Sequence, residues 1–215
     1  MDITDPKIEE YVKGLLVRHD EAVLLEMEAE AQERHFPIVG RMVGVVLEIL
    51  ARSIGARRIF ELGSGYGYSA YWFSRATGTP GEVHLTDGDP ENEKKALEYL
   101  GRAGLDGPVT FHVGEAISTL EATPGEFDIV YNDIDKVDYP KAWRAARSRV
   151  RVGGMFISDN TLWSGRVTGA PGVEDPRPEW TQAIKQMNGA IAADEDFLST
   201  ILPIRDGVTV ALKLH

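Results

Sequence analysis

The sequence contains no cysteine among its 215 residues. A chain without thiols has no disulfide framework, no thiolate metal site and no cysteine nucleophile. It also has no apolar run that approaches the ~18 residues of a membrane-spanning helix. Its first ten residues, MDITDPKIEE, show no signal-peptide pattern. We therefore expect a cytoplasmic protein that has no membrane partner.

Positive charge is also scarce. The 23 Lys and Arg residues are outnumbered by 34 Asp and Glu residues, which leaves a formal net charge of −11. Nucleic acids bind proteins through clustered Lys and Arg side chains. We therefore expect no nucleic-acid partner, although the acidic balance does not exclude a small anionic ligand held by backbone amides.

The length suits one domain with a sizeable core. Apolar residues make up 43% of the chain and charged residues 27%, as is usual in globular proteins. We expect a single domain over residues 1–215, with N-terminal helices over 1–55 and an α/β core over 56–215.

Three helices are predicted in the N-terminal region, over residues 5–20, 21–35 and 36–55. In the first, apolar residues recur at helical spacing. They follow Asp5, a suitable N-cap, and Pro6, a residue favoured in the first turn of a helix.

Beyond residue 56, strand-like and helix-like segments alternate. Short apolar stretches such as RRIFELG, EVHLTD and FDIVYND are each followed by a helical pattern. This alternation predicts parallel strands covered by helices on both faces. Near the C-terminus, FLSTILPI and GVTVALKLH are separated by only two residues, and so short a link joins antiparallel strands. The expected fold class is α/β: a Rossmann-like, doubly wound, seven-stranded mixed sheet of five parallel strands plus a C-terminal antiparallel hairpin.

The first strand of this alternation ends in a glycine-rich loop, ELGSGYG, at residues 61–67. Ligands of open α/β sheets bind beyond the carboxyl ends of the strands, and glycines let them approach the backbone closely. A ligand-free turn is the simpler alternative, but it needs fewer glycines. The dinucleotide fingerprint G-x-G-x-x-G fails, because Tyr68 occupies its last position. Asp87, at the end of the next strand, suits a ribose diol, although alone it could be a helix cap.

Two further strands end in polar side chains, Asp133 after one and Asp159 with Asn160 after the other. Each alone would more often cap a helix, but together they offer three hard oxygens. Such a set predicts a site for Mg²⁺, with Ca²⁺ or Mn²⁺ as alternatives. Lys136 lies beside them and is either a solvated lysine or a general base whose pKa a nearby cation lowers from ~10.4.

The histidines show no clustering in the sequence. We interpret all five as isolated residues with structural or exposed positions: His19, His35, His84, His112 and His215.

Taken together, these motifs resemble a known family, the class I S-adenosylmethionine-dependent methyltransferases. More narrowly, they resemble the metal-dependent catechol-type O-methyltransferases, including the caffeoyl-CoA-type branch. The matching stretches are ELGSGYGYSA, TDGDPENEKKA, AGLDGPVTFHVGEA, FDIVYNDIDKVDYP, GGMFISDNTLWSGRV and DGVTVALK. The glycine loop identifies only the broader class, whereas D-x-D-K-x-x-Y-P combined with D-N-x-L-W-x-G-x-V is specific to the narrower family.

This resemblance implies a site residue by residue. The implied cofactor-binding residues are Val39, Glu61, Gly63, Ser64, Gly65, Ser69, Asp87, Gly88, Glu115, Ala116 and Asp133. The implied metal ligands are Asp133, Asp159 and Asn160. The implied catalytic residues are Lys136 and Asp133, and the implied substrate contacts are Lys136, Asn160 and Trp163. Among the cofactor set, Glu61, Gly63 and Ser69 would hold the methionine part, and Asp87 the ribose.

The implied reaction moves the methyl group of S-adenosylmethionine to one hydroxyl of a catechol-like small molecule. A divalent metal would lower the pKa of that hydroxyl, and Lys136 would take its proton. An acidic substrate contact expected near the final hairpin is replaced by Thr200. We expect Trp163, Arg166 and the loop 167–180 to shape the acceptor pocket, with a core position as the equal alternative for Trp163. Members of the family often form homodimers, and the N-terminal helices here offer a surplus apolar face.

Two other functions stay open at this point. An NAD-dependent oxidoreductase suits the strand–glycine–helix pattern, but the third glycine is misplaced and no Tyr-x-x-x-Lys pair follows. A non-catalytic S-adenosylmethionine-binding protein is the second alternative. The presence of Lys136 and of the metal trio argues against it, because binding alone needs neither.

Overall fold

The computed structural model describes residues 3, 5–16 and 21–215. In this part of the chain we find eight α-helices and seven strands. The helices are α1 (Pro6–Gly14), α2 (Ala22–Arg34), α3 (Gly40–Ser53), α4 (Tyr68–Thr77), α5 (Pro90–Arg102), α6 (Ala116–Ala122), α7 (Tyr139–Ala146) and α8 (Pro178–Ala192). The strands are β1 (Arg58–Leu62), β2 (Glu82–Asp87), β3 (Val109–Val113), β4 (Phe127–Asn132), β5 (Val150–Ser158), β6 (Phe197–Leu202) and β7 (Val208–Lys213).

All seven strands join one mixed sheet in the order β3-β2-β1-β4-β5-β7-β6. The first five pair in parallel, and β7 runs antiparallel to both β5 and β6. The expected five parallel strands and antiparallel hairpin are therefore confirmed. The chain order reverses at β1, which lies between β2 and β4. Such a switch point leaves a crevice at the carboxyl ends of the strands, where ligands bind.

Helices cover both faces of the sheet, as the β–α alternation predicts. On one face, α2 to α5 pack their apolar residues on side chains such as Ile59 and Tyr131. On the other face, α6, α7 and α8 pack on Phe60 and Val130. Neighbouring residues of one strand thus enter opposite cores, as the period of two requires. None of the helices in the described ranges has both the length and the apolar character that a membrane crossing needs.

The first predicted helix is confirmed over part of its length. The Asp5 side chain caps α1 by accepting a hydrogen bond from the Lys7 backbone N–H at 2.8 Å. The helix ends at Gly14, and residues 17–20 of the predicted segment lie outside the described residues.

The third predicted helix begins four residues later than expected. Helix α3 starts at Gly40, and residues 36–39 are not helical. Pro37 explains the difference, because proline disfavours a helical conformation at the residue before it. The Phe36 ring instead packs on Tyr66 of the glycine loop, with ring centroids 5.0 Å apart. The segment 36–39 therefore forms a wall beside the crevice.

Candidate active site

A cavity of about 970 Å³ opens at the carboxyl ends of the parallel strands, next to the switch point. It collects almost every site residue predicted from the sequence. Those that line it are Val39, Gly63, Ser64, Gly65, Ser69, Asp87, Gly88, Glu115, Ala116, Asp133, Lys136, Asp159, Asn160 and Trp163. Glu61 does not line the cavity, because it is fully buried beneath the loop. The cavity is large enough for two small molecules side by side.

The three glycines of the loop each occupy a position that a side chain would strain. All have positive φ: 80° at Gly63, 50° at Gly65 and 86° at Gly67. A Cβ atom at Gly63 would lie 2.6 Å from the backbone oxygen of Asp133. A Cβ atom at Gly65 would lie 2.9 Å from the Phe36 ring. The glycines therefore let the loop pack closely between its neighbours and keep backbone open to the cavity.

Glu61 is a buried carboxylate that lacks a hydrogen-bond partner. It is 0% exposed, and neither carboxylate oxygen has a hydrogen-bond partner of normal geometry. Burial raises its pKa to about 7, and the nearby Ser69 and Ser64 hydroxyls only partly oppose that rise. Both serines line the cavity. A cationic group of a ligand near these serines would therefore stabilise the Glu61 carboxylate.

Asp87 ties the end of β2 to the glycine loop. Its Oδ2 accepts a hydrogen bond from the Gly65 N–H at 3.1 Å. Its Oδ1 accepts from the Asp89 N–H at 2.9 Å and from the Asn92 amide at 3.0 Å. A carboxylate has about four lone-pair positions, so these bonds orient Asp87 and leave capacity for a ligand hydroxyl.

Glu115 lines the cavity, but its side chain has a structural task. It caps α6 by accepting hydrogen bonds from the backbone N–H groups of Ile117 at 2.9 Å and Ser118 at 2.7 Å. These bonds lower its pKa against the effect of burial. The Glu115 carboxylate is therefore engaged by the first turn of α6, although Glu115 and Ala116 both line the cavity.

The predicted metal trio converges on another wall of the same cavity. Asp133 follows β4, and Asp159 with Asn160 follows β5, its pairing neighbour in the sheet. Asp159 is 4% exposed, and its Oδ1 has no hydrogen-bond partner. Burial and the nearby Asp133 raise the pKa of Asp159 to about 7. Burial also raises the pKa of Asp133, against the attraction of Lys136.

These carboxylates fit a hard divalent cation. Asp159 is buried and Asp133 is partly buried, and two acids that repel each other are stabilised in their charged form by a cation between them. Within the described ranges, no three side chains drawn from His, Asp and Glu gather as a metal-binding group. The trio has two carboxylates and one amide, which leaves coordination positions for water or substrate oxygens.

Lys136 is buried beside the trio and is held in an ion pair. Its Nζ donates to Asp133 Oδ1 at 3.0 Å and to the Ile134 carbonyl at 3.3 Å. Burial alone would lower the pKa of Lys136, but Tyr139 and Asp133 together raise it above its ordinary value. Lys136 is therefore protonated while Asp133 is its partner.

Sequence reasoning missed that α2 covers the cavity. Glu28 of α2 accepts a bidentate pair of hydrogen bonds from Arg41, at 2.7 and 2.8 Å. It also accepts one from the Tyr68 hydroxyl at 2.7 Å. Tyr68 is the residue that breaks the dinucleotide fingerprint, and here it anchors α2 over the loop. The sequence predicted a helix over residues 21–35, but not the surface on which it packs.

The acceptor-side wall differs in part from the expectation. Trp163 lines the cavity with Trp180, and their ring centroids are 5.5 Å apart. Arg166 does not line it and instead lies over the Trp163 ring at 5.4 Å. Thr200 sits within the edge strand β6 and does not line the cavity either. The hairpin residue that does is Arg205, which nothing in the sequence pattern marked.

The prediction that the histidines are isolated is wrong for two of them, although their positions are structural as expected. His84 and His112 lie on adjacent strands with stacked rings, and His84 Nδ1 is 3.1 Å from His112 Nε2. These residues are 28 positions apart in the sequence. They meet because β2 and β3 pair in parallel, with His84 opposite Thr110, two residues before His112. Neither lines the cavity, so they play no part in the candidate site. His19 lies outside the described residues.

A mixed sheet with a reversed strand order, a glycine loop and acidic strand ends defines a nucleotide-type ligand site. This agrees with the resemblance of the sequence to the class I methyltransferases. Comparison with known proteins identifies the family. Residues 17–214 match the O-methyltransferase family. The chain belongs to this family and is an S-adenosylmethionine-dependent O-methyltransferase. This membership sets aside the NAD-dependent oxidoreductase and the non-catalytic alternative.

Individual relatives agree with this assignment. Tricin synthase 1 of Oryza sativa is 33% identical over 180 residues, which cover 79% of this chain and 71% of the relative. A catechol O-methyltransferase of Niastella koreensis is 29% identical over 212 residues, covering 95% and 96% of the two chains. Among solved structures, the O-methyltransferase TomG of Streptomyces achromogenes in complex with SAM aligns with a TM-score of 0.85 and 28% identity, covering 97% of this chain and 96% of TomG.

Proposed function

We propose that this chain is a divalent-metal-dependent O-methyltransferase that methylates one hydroxyl of a vicinal diol on an aromatic ring. One observation carries the proposal. Asp133, Asp159 and Lys136 share a cavity with the glycine loop, and Asp159 keeps an unpartnered buried carboxylate oxygen. A site for a methyl donor alone would not need this group of charges.

The donor half of the cavity is assigned to residues at the ends of β1 and β2. Glu61 supplies a buried negative charge for the ammonium of the methionine part, and Asp87 an oriented acceptor for ribose hydroxyls. Gly63 keeps the floor free of side chains. S-adenosylmethionine supplies an activated methyl group when it is bound there.

The acceptor half is assigned to the metal trio and Lys136. Asp133, Asp159 and Asn160 would hold the cation, which lowers the pKa of a hydroxyl when it is bound. Lys136 loses its ion pair once Asp133 is engaged in that way. Burial and the charge of the cation would then lower the pKa of Lys136, against the remaining effect of Tyr139. The neutral amine can take the proton of the attacking hydroxyl.

The relatives support the class of acceptor. The protein of Niastella koreensis is named for catechol, and one from Medicago sativa, 29% identical over 181 residues, is named for caffeoyl-CoA. A vicinal diol presents two adjacent oxygens, which suit the coordination positions that two carboxylates and one amide leave open.

Methyl transfer from labelled S-adenosylmethionine to catechol tests the proposal, with Mg²⁺ and with EDTA. We expect activity only with the metal. We expect Asp159→Asn to reduce it by more than about tenfold, because loss of even an outer-shell partner of a metal ligand costs about ten- to a hundredfold. Asp135→Asn is the matched control, because Asp135 is an exposed acid beside the trio. Calorimetric titration with Mg²⁺ should show the same difference in binding.

Equal activity in EDTA, or Mg²⁺ binding that Asp159→Asn leaves intact, would show that the trio does not hold the metal. Loss of activity in Asp135→Asn as well would point to a general effect of negative charge rather than to ligation.

We further propose a homodimer, on the evidence of an uncovered apolar face. Ile8, Tyr11 and Leu15 are 55%, 68% and 61% exposed, and they recur at helical spacing along α1. Exposed apolar patches of this kind often mark protein interfaces. The solution mass from light scattering checks this, with Tyr11→Glu expected to shift a dimer to a monomer. A wild-type monomer at micromolar concentration would contradict it.

A further inference from the structure

The turn between β6 and β7 places the positively charged Arg205 side chain at the cavity, and the backbone of Arg205 is strained. Arg205 has φ of 49°, a left-handed conformation that residues other than glycine rarely adopt. Its side chain lines the cavity. Strained residues of this kind persist where the surrounding structure holds them, and they concentrate at functional sites. A strained residue that lines a cavity is therefore a candidate for contact with the ligand.

The surrounding structure holds the Arg205 guanidinium in place. Its Nη1 donates to the Ile38 carbonyl at 2.8 Å, across 167 residues of sequence. Gly40 makes room for it, since a Cβ there would lie 3.1 Å from the same Nη1. On the other side, the neighbouring Asp206 carbonyl accepts a hydrogen bond from the Leu162 N–H at 2.8 Å. These hydrogen bonds hold the turn between the segment 36–39 and the segment after β5 that contains Leu162.

Arg205 has no carboxylate partner in the described ranges, although the chain is strongly acidic. Other arginines such as Arg41, Arg75 and Arg147 form ion pairs with Asp or Glu at 2.5 to 2.8 Å. The Arg205 guanidinium uses one hydrogen bond to a carbonyl out of five N–H donors. Its remaining donors and its charge are available to a ligand in the cavity.

Two aromatic rings also line the cavity, and they indicate the rest of the ligand. Trp163 and Trp180 line the cavity in mutual contact. The Trp163 indole N–H is buried without an acceptor. Arg177 lies 4.1 Å from the centroid of the Trp180 ring and adds positive charge behind this wall. A flat ring with a negatively charged substituent complements these groups.

We propose that Arg205 is a specificity-determining residue, and that the preferred acceptor is an aromatic vicinal diol that carries a carboxylate. Arg205 binds the carboxylate while the diol faces Asp133 and Asp159. Arg205 and these two acids line the same cavity. This inference rests on the proposed function and narrows its acceptor class.

A matched pair of probes isolates the carboxylate. Protocatechuate is a catechol with one carboxylate, and its methyl ester has the same ring and diol without the charge. Their dissociation constants are measured by quenching of tryptophan fluorescence in the protein saturated with S-adenosylhomocysteine and Mg²⁺. We expect protocatechuate to bind about tenfold more tightly than the ester, as for a charge-assisted pair at an accessible site.

Variants assign that preference to Arg205. Arg205→Gln keeps a non-glycine residue at the strained position, so it adds no new backbone cost. We expect it to remove the preference for protocatechuate and to affect the ester far less, whereas Arg205→Lys should retain part of the preference. Arg144→Gln removes an exposed arginine of α7 that does not line the cavity, and it should keep the full preference.

Two results would overturn the inference: equal affinities of the wild type for acid and ester, or a preference that survives in Arg205→Gln. Equal weakening of both probes in that variant would also reject it, because it would assign Arg205 a general structural role. A failure of the proposed function would give a different set of results. Binding would show the Arg205-dependent preference, yet neither probe would be methylated.

Discussion

Acidification should weaken the binding of the methyl donor, because the proposed partner of its ammonium group, Glu61, titrates near neutral pH. The Glu61 side chain is fully buried, and burial raises its pKa to about 7. The like charges of Asp133 and Asp87 add to that rise. An ordinary glutamate would stay ionised throughout the range of the assay.

The size of the effect follows from the charged fraction of Glu61. With a pKa of about 7, that fraction falls from about nine-tenths at pH 8 to about one-tenth at pH 6. If only the carboxylate form binds the ammonium, the dissociation constant rises about tenfold over this range, or ~1.4 kcal/mol.

The stability of the donor-free protein should change in the opposite sense. A group whose pKa is raised on folding disfavours the folded state once it ionises. The contribution of Glu61 therefore falls as the pH rises from 4.5 towards 7. The shift corresponds to about 3 kcal/mol above pH 7. Acidification thus strengthens the free fold through this group while it weakens donor binding.

Calorimetric titration with S-adenosylhomocysteine between pH 5.5 and 8.5, without metal, measures the dependence. Glu61→Gln should bind more weakly at pH 8 and lose the difference between pH 8 and pH 6. Because the ligand titrates identically with both proteins, the comparison isolates Glu61. Glu115→Gln is the control, since the pKa of Glu115 is lowered and its removal should leave the slope intact. A pH dependence that Glu61→Gln retains would refute the reasoning.

Two further predictions concern stability. Burial lowers the pKa values of the paired His84 and His112, so their contribution to stability should fall as the pH drops below ~6.5. His84→Gln should reduce this loss in thermal unfolding between pH 7 and pH 5, and an unchanged loss would contradict it. Gly63→Ala should destabilise the fold more than Gly55→Ala, which meets no atom within 4 Å and costs only its positive φ, about 1 kcal/mol. Equal unfolding midpoints of the two variants in urea would contradict this prediction, because they would show that a methyl group at position 63 is accommodated beside the Asp133 carbonyl at no extra cost in stability.

Signals local to the chain allowed much of the fold to be predicted. Alternating strands and helices and a two-residue link were enough for the sheet and its hairpin. The same reasoning failed at residues 36–39, where apolar residues continued a helical pattern but Pro37 ended it. There the Phe36 ring packs against the glycine loop, and this long-range contact has no local signal.

Pairs that depend on strand register could not be predicted. His84 and His112 meet because β2 and β3 are neighbours with a particular alignment, and neither fact can be read from the spacing of the histidines. The acidic trio was predictable for the opposite reason. Asp133 and Asp159 directly follow parallel strands, so the edge of the sheet collects them whatever the exact register.

The two halves of the cavity are encoded in different ways, and this bears on how the acceptor is chosen. The donor half depends on residues within a few positions of strand ends, such as Gly63 and Asp87. In the proposed acceptor half, the metal trio also follows strand ends, but the segments around Arg205 are held by long-range hydrogen bonds. Arg205 Nη1 donates to the Ile38 carbonyl, and the Leu162 N–H donates to the Asp206 carbonyl. None of these bonds belongs to the ladders of the sheet. We therefore expect substitutions in these segments to change the preferred acceptor while the sheet and the proposed donor site persist, and the charged Arg205 in the hairpin turn is the first position to test.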